Sequence, residues 1–91
     1  MELFKGKVVC PRCDGNGLVY KAEIKDINKV VYVCDECDAT WFQNDRFGMD
    51  NFVDYETFLE ENSLSYMKAN VIHLGYDWYK GSKFFKSKKL L

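Results

Sequence analysis

Two short stretches, Cys10-Pro11-Arg12-Cys13 and Cys34-Asp35-Glu36-Cys37, decide how this chain is expected to fold. Twenty residues separate them, and together they use all four cysteines. A two-residue gap lets a tight turn aim two sulfurs and several backbone N–H groups at one point. Two such turns close a tetrahedral thiolate site with metal–sulfur distances near ~2.3 Å. The spacing fits the zinc pattern of paired Cys-x2-Cys turns. Four thiolates also suit iron, and disulfides or a redox-active pair draw on the same residues. A redox motif calls for a βαβ pattern nearby, which the flanking sequence does not carry. A catalytic zinc keeps one position open for water, and four cysteines leave none. One structural zinc held by Cys10, Cys13, Cys34 and Cys37 is therefore expected.

The segment between the pairs supports this. Leu18, Tyr20, Ala22 and Ile24 alternate with Lys21 and Glu23, the period of a strand with one buried face. Asp26 and Asn28 supply turn chemistry, and Val30-Val31-Tyr32-Val33 is β-branched and aromatic up to Cys34. A hairpin thus returns the chain from one pair to the other, and Ala39-Thr40-Trp41-Phe42 can add a third strand. With those features residues 8–43 resemble a zinc ribbon, two cysteine knuckles joined by an antiparallel hairpin. Cys10-Pro11-Arg12-Cys13-Asp14-Gly15-Asn16-Gly17 also resembles one Cys-x2-Cys-x-Gly-x-Gly unit of the zinc region in J-domain co-chaperones. Gly15 and Gly17 would there permit positive φ angles. The second pair is followed by Asp38-Ala39-Thr40 and lacks both glycines.

The chain has 91 residues, enough for one domain, with 47% hydrophobic and 16% aromatic residues. A domain of this size buries a limited fraction of its surface, so a metal or disulfide staple is expected. Residues 1–7 lack the apolar run of a signal peptide, and no stretch approaches the roughly 18 apolar residues of a membrane span. A soluble, cytoplasmic protein without membrane contact is the expectation. That compartment is reducing, which favours metal ligation over disulfides.

Beyond the second pair, residues 44–53 are expected to form a connecting loop. Asp54 is placed to cap a helix over 55–61, with Tyr55, Phe58 and Leu59 on one face and Glu56, Glu60 and Glu61 directed elsewhere. Leu64, Met67 and Val71 repeat at helical spacing and predict a second short helix beginning near Ser63 or Ser65. The expected fold is α+β: a small zinc-ribbon β-hairpin or three-stranded sheet with one or two short C-terminal helices packed on it. A single domain over 1–91 would comprise the ribbon at 8–43 and an α/β extension at 44–91 with a basic tail.

Net charge is −1, but it is unevenly spread. Residues 34–61 hold nine acids against Arg46 alone, whereas residues 62–91 hold six lysines against Asp77. Such a one-sided block suits docking to a basic protein, with Asp45, Asp50, Asp54, Glu56, Glu60 and Glu61 as the expected contact residues. A small acidic-faced protein of this kind is similar, in size and charge, to bacterial immunity proteins that neutralise nuclease toxins. The alternative is a nucleic-acid-binding ribbon of the transcription or translation machinery. It would use Lys5, Lys7, Arg12 and the lysines interleaved with Phe84 and Phe85 in the tail. Trp41 and Phe42 are expected in the core. His73, the only histidine, has no motif that would make it a catalytic base, and no enzymatic activity is expected.

Overall fold

The computed structural model describes residues 3–4, 6–13, 16–43, 48 and 50–81. Seven strands form one antiparallel sheet: β1 (Leu3–Phe4), β2 (Lys7–Val9), β3 (Leu18–Ile24), β4 (Lys29–Cys34), β5 (Ala39–Phe42), β6 (Val53–Asp54) and β7 (Val71–Gly75). The first six lie side by side in chain order, and β7 pairs with β3. Among the described residues the one α-helix is α1 (Tyr55–Glu61), and no helix is long and apolar enough to cross a membrane.

The central hairpin follows from its residues. Six pairs join β3 to β4, from Val19 opposite Cys34 to Ile24 opposite Lys29. Its turn is a short 3-10 segment, Lys25–Ile27, closed by Asn28 at φ 52°. Asparagine tolerates this left-handed geometry better than most residues. Asp26 also accepts the Asn70 N–H at 2.7 Å, fastening the turn to the start of β7.

Alternation along the strands sends side chains to both faces, and both faces are covered. One core gathers Val8, Cys10, Val19, Tyr32, Cys34 and Trp41, overlaid by Trp78 and Tyr79 from a second 3-10 segment, Trp78–Gly81. The other gathers Ala22, Ile24, Val31 and Val33 beneath Tyr55, Phe58 and Leu59 of α1. Trp41 is wholly buried and its Nε1 donates to the Gly48 carbonyl at 3.2 Å, so the expectation of a core tryptophan holds.

This architecture overturns the expected fold. In place of a three-stranded ribbon carrying one or two helices, the described residues form a sheet of seven strands with one seven-residue helix. The helix over 55–61 forms as expected, and the Asp54 carboxylate accepts the Thr57 N–H at its N-terminus. The second helix does not form: α1 closes in a sharp turn, and the single turn after it, with the Lys68 and Ala69 N–H groups on the Ser65 carbonyl at 3.1 and 2.8 Å, gives way to β7. Ser63 adopts φ 61°, Leu64 N–H reaches the Leu59 carbonyl at 2.8 Å, and Ser63 N–H reaches Glu60 at 3.0 Å. These two bonds are the paired closure of a left-handed helix terminus, and Leu64 then packs into the α1 core. The stripe of Leu64, Met67 and Val71 is dispersed: Met67 is 89% exposed, and Val71 opens β7. Val71-Ile72 is β-branched, and β3 offers it an edge to pair with.

Candidate metal centre

Two turns bring the cysteines together at one end of the hairpin. Cys10 follows β2, and its N–H donates to the Gly17 carbonyl at 3.0 Å, closing the first turn. Cys34 ends β4, and its Sγ accepts the N–H groups of Glu36 and Cys37, each at 3.4 Å. The Cys10 and Cys37 sulfurs lie 3.7 Å apart, as do those of Cys13 and Cys34. All four sulfurs lie within 4.8 Å of one another. A tetrahedron with metal–sulfur bonds of ~2.3 Å has edges of about 3.8 Å. A covalent S–S bond would need about 2.05 Å. Four thiols this close together could hold one metal ion, consistent with a zinc-binding site.

The surroundings fit a cation. Burial pushes the Cys10 thiol up to about 11, against hydrogen bonds from the Cys13 and Arg12 N–H groups that lower it. Burial raises Cys34 further, although the Cys37 and Glu36 amides oppose it. Burial would also raise Cys37, but the Ala39 N–H and the neighbouring thiols outweigh it and hold that group below its ordinary value. Two buried thiols that resist ionisation become thiolates readily when a dication supplies the missing charge. Four thiolates around a dication leave a net charge of −2. Arg12 stands close by, donating to the Cys37 carbonyl at 3.0 Å while its guanidinium lies 4.6 Å from the Phe52 ring centroid.

Gly17 is required here for space rather than for a positive φ, contrary to expectation. A Cβ on Gly17 would lie 2.4 Å from the Cys34 sulfur and 2.9 Å from the Glu36 Cβ. Gly15 lies outside the described residues. In the second turn Asp38 occupies the left-handed position, φ 63°, where glycine is usual. Its carbonyl accepts the Tyr55 N–H at 3.0 Å and so ties the metal turn to α1. Asp35 accepts the Leu18 N–H at 3.0 Å and the Tyr76 hydroxyl at 2.9 Å.

The acidic residues expected to dock a partner are only partly united. Glu56, Glu60 and Glu61 are exposed along α1. Asp54 is occupied as the helix cap, and Asp50 precedes β6 beside the turn that holds Trp41. Asp45 lies outside the described residues. Among the described residues the acids between Asp35 and Glu61 form no ion pair; the pair present is Lys25–Glu23 at 4.0 Å. Lys5 and the tail lysines 83–89 lie outside the described residues. His73 lies on β7, does not join the clustered cysteines as a candidate ligand, and stacks its ring on Tyr20 at 4.2 Å. Sequence reasoning missed the aromatic side chains gathered around Tyr20, because they come from β3, α1, β7 and the segments on either side of β7. No protein-family model, curated protein or solved structure matches the chain, so the assignment of the centre rests on its own geometry.

Proposed function

We propose that the protein is a zinc-stapled, non-catalytic binding module that docks a basic protein partner through the acids of its metal turn and α1. The observation that carries this reading is the donor set: four sulfurs within 4.8 Å of one another, two of them wholly buried in a core. Such a set has no position for substrate or water, so the ion's role is to hold the fold. Zinc suits four thiolates without redox change. The staple then frees the surface for recognition. Exposed carboxylates at Glu36, Asp38, Glu56 and Glu60, none in an ion pair among the described residues, give a negative field that attracts a basic surface. A basic nuclease of the toxin type is the partner class that the resemblance to immunity proteins suggests.

The test combines elemental analysis with capture. The full chain, purified without added metal, is expected to carry one zinc per molecule. A folded, metal-free protein would sink the staple. Immobilised protein is then exposed to nuclease-treated lysate, and any retained basic protein is identified, purified and rebound. Stoichiometric rebinding that weakens with salt is the expected result. Recovery of components that disappear after nuclease treatment would make nucleic acid the ligand and overturn the docking reading.

A further inference from the structure

Around Tyr20, aromatic side chains distant in sequence converge on the sheet face that carries α1. Tyr20 stacks against His73 with ring centroids 4.2 Å apart and planes 12° apart. Tyr76 meets Tyr20 edge-on at 5.9 Å, and Tyr66 meets Tyr55 edge-on at 5.9 Å. The two pairs adjoin. Burial first, then the Tyr55 and Tyr66 hydroxyls, the Asp38 carboxylate and Tyr76, push the Tyr20 hydroxyl up to about 12. The Asp35 carboxylate borders the cluster by accepting the Tyr76 hydroxyl, and Asp38, whose backbone carbonyl accepts the Tyr55 N–H, has its charge close enough to act on Tyr20 and Tyr55.

Not all of this surface is packed away. Tyr66 is 54% exposed, while Tyr20 and Tyr76 are half-buried. An exposed aromatic supported edge-on by a buried one offers a π face at little entropic cost. The sign of the field is set by the border: carboxylates beside aromatic faces favour a cation and repel a phosphate. The Tyr76 ring already carries the Lys7 ammonium 5.4 Å from its centroid and Tyr20 is stacked by His73, so the open ring of the cluster is Tyr66.

We propose that the cluster of Tyr20, Tyr55, Tyr66 and Tyr76, bordered by Asp35 and Asp38, receives an arginine side chain of the basic partner. This rests on the docking reading above and names the recognition element within it. Arginine fits better than lysine because its planar guanidinium stacks on aromatic faces while still donating to carboxylates. An exposed ammonium is a point charge that gains less from the rings. The glutamates of α1 supply long-range attraction, and the tyrosines select the side chain.

The experiment uses the full zinc-loaded chain and three fluorescein-labelled peptides, in which arginine, lysine or glutamate alternates with glycine. Binding is followed by anisotropy at ~0.15 M salt, where long-range attraction between exposed charges is largely screened. The arginine peptide is expected to bind more tightly than the lysine peptide, and the glutamate peptide not at all. Tyr66→Ala, which leaves net charge unchanged, is expected to weaken the arginine peptide about five-fold or more. Tyr76→Phe, which keeps the ring, is expected to weaken it less and guards against a folding defect in the first variant. Circular dichroism and zinc content verify that each variant is folded. Wild-type affinity in Tyr66→Ala, or equal binding of the arginine and lysine peptides, would overturn the tyrosine site. If Glu56→Gln/Glu60→Gln then still lowers affinity, docking through acids survives and the tyrosine site alone is lost. If no cationic peptide binds, or a single-stranded oligonucleotide binds in preference, both readings fall. Loss of binding through self-association would show in sedimentation as a dimer occluding Tyr66, and would also overturn the proposal.

Discussion

Replacing Gly17 with alanine tests the metal centre at its tightest point. The added Cβ would meet the Cys34 Sγ at 2.4 Å, the Glu36 Cβ at 2.9 Å and the Asp35 Oδ1 at 3.1 Å. Ordinary contacts between carbon-sized atoms begin near ~3.5 Å, so the sulfur or the backbone bearing Gly17 must move by about 1 Å. A metal site tolerates only about 0.2 Å in its ligand distances. The sulfur is further pinned by two amides, and Gly17 by its bond to the Cys10 N–H, so neither side yields freely. Overpacking a core by one methyl group costs about 1–3 kcal/mol, and the rigidity here points to the upper end. At about 3 kcal/mol, zinc affinity should fall on the order of 10²-fold if the cost falls on the metal-bound state. Melting of the zinc-loaded protein should drop by about 12–24 °C, given 4–8 °C per kcal/mol for a domain of this size. Competition against a chromophoric chelator measures the first quantity and thermal unfolding the second. Gly48→Ala is the control, because among the described residues its Cβ would meet side-chain oxygens of Asn51 and Asp50, at 3.2 and 3.3 Å, and no sulfur or backbone. Wild-type zinc affinity and melting in Gly17→Ala would refute the reasoning.

Three further outcomes follow from the same structure. Stripping the metal with a chelator should collapse the core that contains Cys10, Cys34 and Trp41, because structural zinc contributes on the order of 10–16 kcal/mol in finger peptides and whole domains are stable by about 5–15 kcal/mol. Near-ultraviolet dichroism of the tryptophans should vanish, and its persistence would show that the ion is dispensable. Asp54→Ala removes the cap of α1 and should cost about 1 kcal/mol, seen as a melting temperature about 4–8 °C lower and restored by Asp54→Ser. Tyr20, raised from 10.0 to about 12, keeps its proton in the folded state where the unfolded chain has lost it. Its contribution to stability is therefore complete below pH 10 and is lost as pH rises towards 12, which denaturant melts of the wild type against Tyr20→Phe will show. Identical alkaline profiles would contradict the burial of that hydroxyl.

What the sequence discloses about this fold is set by the range over which each signal acts. The cysteine pairs, the alternation at Tyr20, Ala22 and Ile24, and the Asp54 cap are local patterns, and each is realised where it was expected. The short strands β1, β2 and β6 have two or three residues each, too few for a period to show. β7 was disguised by an accident of spacing: Leu64, Met67 and Val71 fit a helix, but Ser63 in a left-handed conformation redirects the chain before a helix can propagate. The end of α1 at Glu61 is legible in the sequence, whereas a left-handed turn set by a non-glycine residue after it is not. The larger sheet is thus a consequence of one turn, since freeing Val71–Gly75 from a helix is what lets it pair with β3.

The same turn assembles the surface proposed for recognition. Had the chain continued as a helix from Ser63, neither Tyr66 nor Tyr76 would come to the rings of Tyr55 and Tyr20. With α1 closed at Asn62, residues 63–70 fold back so that Tyr66 meets Tyr55, and β7 carries His73 and Tyr76 to Tyr20. The metal turn supplies the border: Asp35 and Asp38 flank Cys34 and Cys37, so their positions depend on the sulfurs closing around an ion. Staple and surface are therefore coupled. Loss of the metal should abolish arginine-peptide binding even with every tyrosine intact, whereas Tyr66→Ala should reduce binding without disturbing the metal. Arginine-peptide binding that survives removal of the metal would show the surface to be independent of the staple.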